Sequence, residues 1–73
     1  MPETREPHER IRELRENRSL SMQKVARALN VSERTVLRHE LGQTPLSNMH
    51  LRAYADFYDV PVEYLTGEIE VAA

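Results

Sequence analysis

Between Met22 and Leu41 the chain sets two short amphipathic segments end to end, with only three residues between them. In the first, Met22, Val25, Ala26 and Leu29 fall at i, i+3, i+4 and i+7, the single apolar stripe of a helix of about two turns. Asn30 then tolerates the left-handed conformation that stops a helix. After apolar Val31, Ser32 is placed to cap a further helix over ERTVLRHEL, residues 33–41, which Gly42 closes. Helices this short, joined by so tight a turn, cannot lie antiparallel. They cross steeply, and the second turns its N-terminal face away from the core. Small Ala26 allows a close crossing, and Val25, Leu29, Val31 and Val36 supply the apolar contacts between the two.

The flanks read as more helix. PHERIRELREN, residues 7–17, starts on Pro7, whose missing N–H costs nothing at a first helical position. Ile11 and Leu14 point inward from it, and Asn17–Ser19 ends it. Ser21 is a good cap for the helix at Met22. A polar loop, QTPLS, leads to a fourth helix opened by Thr44 or Ser47, in which Leu51, Tyr54, Ala55 and Tyr58 repeat the i, i+3, i+4, i+7 stripe. Pro61 and Gly67 bracket a last short helix, VEYLT. The expected fold is all-α, five helices around one core, with residues 7–67 as the domain. Residues 1–6 read as frayed. The acidic and apolar tail, 68–73, reads either as disordered or, from the alternation of Ile69 and Val71 with glutamates, as a short strand.

Composition removes several function classes. At 73 residues, one core uses most of the burial available, which leaves no room for a catalytic cleft, and no catalytic set is visible. There is no cysteine, and His8, His39 and His50 lack metal-ligand spacing, so neither a metal nor another cofactor is expected. No apolar run exceeds three residues and the first residues carry no signal-peptide core, which points to a cytoplasmic protein. No small-molecule ligand is implied. Net charge is −2, but its distribution says more. Residues 19–42 carry Lys24, Arg27, Arg34 and Arg38 against two glutamates, whereas residues 43–73 carry one arginine against five acids. A polyanion would meet the middle of the chain.

The steep helix pair is the helix-turn-helix geometry, and with its flanks it resembles the Cro and phage-repressor type of helix-turn-helix domain, the XRE-like family. The likeness rests on RIRELRENRSLS, VARALNVSERTVLRHELG and LRAYADFYDVPVEYLTG, roughly Arg10 to Gly67. It implies binding to operator DNA in double-stranded form by a prokaryotic or phage transcription regulator, typically a repressor, with the helix at 33–41 in the major groove. On that pattern Glu33, Arg34 and Arg38 are the base contacts. Arginine donates bidentately to guanine O6 and N7, and positions 34 and 38 leave one helix face. Glu33 equally suits the positive end of its own helix. Ser21, Gln23, Ser32, Thr35, Gln43 and Thr44 fall at the family's phosphate-contacting positions. Arg15 and Glu40 match a charge pair tying the first helix to the recognition helix.

Three departures stand out. Met22 occupies a position where relatives place a glutamine that touches phosphate, and it reads here as core edge. The loop QTPLSN has no Lys or Arg. His39 stands where Leu or Tyr is usual and reads as a packed, hydrogen-bonded side chain, while Leu37 and Leu41 put apolar bulk on the recognition helix. These features and the acidic last third keep a second reading open, a protein-binding module on the same scaffold, such as an antirepressor. One recognition helix reads too few base edges to find a site among a genome of competitors. A weak homodimer on a palindromic operator is therefore expected, meeting through Phe57, Val62, Tyr64 and Leu65.

Overall fold

Residues 6–68 are described by a computed structural model of the chain. They form α1 (Pro7–Asn17), α2 (Met22–Leu29), α3 (Glu33–Glu40), α4 (Asn48–Tyr58) and α5 (Val62–Thr66). No strand occurs among the described residues, and the all-α, five-helix architecture is the one the stripes imply. The alternating segment Ile69–Val71 lies outside the described residues.

Each start has a local cause. Glu6, expected within a frayed segment, is instead the N-cap of α1, and its backbone N–H donates to Glu9 Oε1 at 3.1 Å, with Pro7 in the first turn. The hydroxyl oxygens of Ser21, Ser32 and Ser47 accept from the backbone N–H groups of Lys24, Thr35 and His50, so Ser47 rather than Thr44 opens α4. All five ends share one device. A residue in the left-handed region follows each helix, namely Ser19, Asn30, Gly42, Asp59 and Gly67. The next N–H then reaches back to a carbonyl five residues earlier, as from Leu20 to Arg15, Val31 to Ala26 and Gln43 to Arg38. α3 is one residue shorter than expected, because Leu41 is the residue that leads into this stop.

The stripes meet in one core of Ile11, Val25, Ala26, Val36, Leu51, Tyr54, Ala55, Tyr58 and Leu65. α2 packs most extensively on α3, α1 also packs on α3, and α5 closes the bundle against α1 and α4. Leu14, Met22, Leu29 and Val31 pack at the edge of this core. Leu65, expected at a surface between copies, has no exposed surface at all. A five-residue helix resting on two others must turn one large apolar side chain inward, and Leu65 is that side chain. It is not available to a second copy.

Candidate nucleic-acid interface

α3 has two unlike faces. Val36, His39 and Glu40 are buried, while Glu33, Arg34, Leu37 and Arg38 are exposed. Neither the Arg34 nor the Arg38 guanidinium has a carboxylate partner among the described residues. Both are therefore free to donate outward, from the first and second turns of one helix.

The inward face holds α3 at a fixed angle. Arg15 Nε donates to Glu40 Oε2 at 2.7 Å and Nη2 to Oε1 at 3.0 Å, a two-pronged pair. The third nitrogen, Nη1, donates to the Leu20 carbonyl at 3.0 Å. One guanidinium thus joins α1, the segment before α2, and α3. The Glu40 side chain is 2% exposed and that of Arg15 14%. The carboxylate holds the Arg15 proton more tightly than usual, chiefly through the hydrogen bond. Beside it His39 is buried, with Nδ1 and the Tyr54 hydroxyl sharing a hydrogen bond of 3.0 Å and the His50 ring 4.6 Å away. Burial, helped by His50, lowers the His39 pKa from its ordinary value. The Tyr54 hydroxyl is pushed well above the usual phenol range by burial, and that of Tyr58 to about 12 by the same cause.

Around α3 lie the positions matched to phosphate contacts. The Ser21 hydroxyl accepts from Lys24 N–H at the start of α2 and keeps its own proton to donate. Ser32 and Thr35 hydroxyls are 2.9 Å apart, so one donates to the other and a single O–H proton of the pair is left for an outside acceptor. Gln23, Gln43 and Thr44 are exposed. The backbone N–H groups of Gln43 and Thr44 are both committed to the Arg38 carbonyl, which leaves only their side chains to reach a ligand. Gly42, at φ +74, carries the bend, and a Cβ there would meet the His8 ring at 3.1 Å.

Two contacts are not visible in the sequence pattern. Arg10, one residue before the core residue Ile11, is buried with its guanidinium 4.7 Å from the centre of the Tyr64 ring. Tyr64, placed by sequence at a surface between copies, is half-buried under this cation, and Val62 and Phe57 are half-buried against the core as well. The guanidinium of Arg18 lies 5.4 Å over the Tyr58 ring. On the exposed side of α1, Arg12 Nε lies 3.4 Å from Glu16 Oε2. Among the described residues no cluster of His, Asp or Glu is arranged to hold a metal ion, and no helix is long and apolar enough to cross a membrane.

A family model described as a helix-turn-helix domain matches residues 9–66. Among solved structures, the P22 c2 repressor in complex with synthetic operator 9T is 22% identical, with a TM-score of 0.78 over 86% of this chain and 96% of that one. The solution structure of the DNA-binding domain of the P22 c2 repressor is 20% identical, with a TM-score of 0.82 over 99% of this chain and 96% of that one. A transcriptional regulator from Listeria innocua is 24% identical, with a TM-score of 0.79 over 93% of this chain and 64% of that one. At these identities the likeness is one of fold. No curated protein matches the chain.

Proposed function

Because the chain belongs to the helix-turn-helix domain family, we propose that it is a sequence-specific DNA-binding transcription regulator that lays α3 in the major groove. The observation that carries this reading is the outer face of α3. Two arginines without carboxylate partners among the described residues stand there one turn apart, on a helix whose inner face is pinned by the Arg15–Glu40 pair and the His39–Tyr54 hydrogen bond. A guanidinium held on a rigid support can offer its fork to guanine O6 and N7. Glu33, in the first turn, can accept from a cytosine amino group and also complements the helix dipole.

Ser21, Gln23, Gln43, Thr44 and the one free hydroxyl proton of the Ser32–Thr35 pair set the register by donating to phosphates, without reading sequence themselves. This set consists entirely of hydroxyls and amides, so few counterions are displaced and the salt dependence should be shallow. In this reading two copies bind a palindromic operator inside the cell, each placing one α3 in successive major grooves about 34 Å apart. With Leu65 buried, the surface left for pairing is Val62, Tyr64 and Phe57, each only partly exposed, so the free dimer is weak.

Selection of bound duplexes from a random library, followed by electrophoretic shift at several salt concentrations, tests the proposal. Enrichment of one motif, bound at least a thousandfold more tightly than scrambled DNA, is expected. Absence of enrichment, together with no retention on random duplex at low salt, would turn the reading toward a protein-binding module.

A further inference from the structure

Three large apolar side chains remain exposed among the described residues, namely Leu37, Leu41 and Met49. Their settings differ. Met49 lies in the first turn of α4 and not on α3. Leu41 follows the last turn of α3 and lines a groove of about 380 Å³ against α1, with His8, Glu9 and Arg12 among its neighbours. Leu37 is 40% exposed and stands on the same face as the two arginines. At about 100° per residue it falls between Glu33 and Arg34 around the helix, on the arc opposite the buried His39.

We infer that Leu37 reads the C5-methyl group of a thymine next to the base contacted by Arg34. This rests on the DNA-binding reading above and adds a base to it. A leucine cannot donate or accept a hydrogen bond. Set against guanine O6 and N7, or the amino groups of adenine and cytosine, it would strip water from a polar edge and return nothing. Thymine is the one base whose major-groove edge carries an apolar group. Arg34 beside it around the helix, and Arg38 beyond Arg34, make a polyanionic groove, rather than an apolar protein surface, the environment into which this side chain is carried. There the leucine and the methyl group lose water to each other. Leu37 and Arg34 together therefore specify a thymine beside a guanine-bearing pair.

The test replaces single thymines of the selected duplex by uracil, which removes the methyl group and leaves every hydrogen-bonding atom in place. Dissociation constants are measured for the wild type, Leu37→Ala and Arg34→Ala. At one thymine position per half-site, the wild type should bind the uracil duplex about fourfold more weakly, the fold-change of ~0.8 kcal/mol for one buried carbon group. Leu37→Ala should bind the thymine and uracil duplexes equally, and Arg34→Ala should keep the fourfold discrimination. The inference is overturned if no uracil position weakens the wild type, or if Leu37→Ala discriminates as the wild type does. Either result, obtained on a duplex whose guanines still respond to Arg34→Ala, leaves DNA reading by α3 intact and removes only the thymine contact. If no duplex is selected at all, both fall together.

Discussion

Glu40 is the residue on which the geometry of the site most depends. It is nearly inaccessible to water, and both its oxygens are taken by Arg15. Breaking one side of such a pair leaves a buried charge uncompensated, at a cost of ~3–5 kcal/mol. In a domain of this size each kilocalorie moves the melting temperature by about 4–8 °C, so Glu40→Gln should melt more than about 10 °C below the wild type in calorimetry. A shift of a degree or two would mean that the pair is superficial. His39 sets a second expectation. Its pKa is lowered by burial, with His50 and the Tyr54 hydroxyl facing it from α4. The unfolded chain therefore takes up a proton that the folded one resists, and stability falls as pH drops below the ordinary histidine value near 6.5. The tyrosines act at the other end. The raised pKa of Tyr58, about 12 against 10, leaves its contribution intact below pH 10 and removes it as pH rises from 10 toward 12. Urea titrations across pH should thus show a plateau between about 6.5 and 10. For His39→Phe the acid limb should shrink, and an unchanged limb would assign it to other groups. At this scale the sequence was only partly legible. The ion pair could be matched from position, but the burial of Arg10 could not, because it depends on Tyr64 more than fifty residues away closing over a cation that looks, locally, like surface charge.

The elements themselves are written plainly in the chain. Serine caps at 21 and 32 mark where α2 and α3 begin, and four-residue stripes show which side α2 and α4 bury, since both signals are local. For α4 the sequence leaves Thr44 and Ser47 as alternative starts, and Ser47 is the cap. The face of α5 was not legible. Five residues do not span enough turns for a stripe to define a direction, and Leu65 turned out to be core. The shared left-handed stop gives a paired prediction. Ser19 holds φ +54 with a Cβ, where glycine would be free of strain but would lose more entropy on folding. Ser19→Gly should stabilise the domain by about 0.5–1 kcal/mol. Gly42→Ala should do the reverse by about 1–2 kcal/mol, because it adds a Cβ at φ +74 and presses it on the His8 ring. Part of that cost should vanish in a His8→Ala background, as seen in thermal melts. Equal losses in both backgrounds would show that His8 moves aside freely and that strain alone sets the penalty.

At the scale of the whole molecule the charge distribution and the packing divide the chain by task. All five helices contribute to the core, and α2 with α3 also carries the basic segment on its outer side. The half-buried Phe57, Val62 and Tyr64 are too small a surface for a tight dimer. Sedimentation should therefore find a monomer in dilute solution and two chains on one selected operator. One chain per site, on DNA without an inverted repeat, would remove the dimer from the proposal. The sequence also concealed what the outer face of α3 is for, since an exposed arginine looks the same whether it is solvated or reads a base. The deciding measurement compares the wild type and Arg34→Ala on the selected duplex and on a scrambled one at fixed salt. If α3 reads bases, the substitution costs roughly 1–3 kcal/mol of affinity on the selected duplex, relaxes the requirement at one base pair, and changes binding to scrambled DNA by little more than the loss of one charge. Equal losses on both duplexes would make Arg34 a phosphate contact and contradict the assignment of α3 as the element that reads sequence.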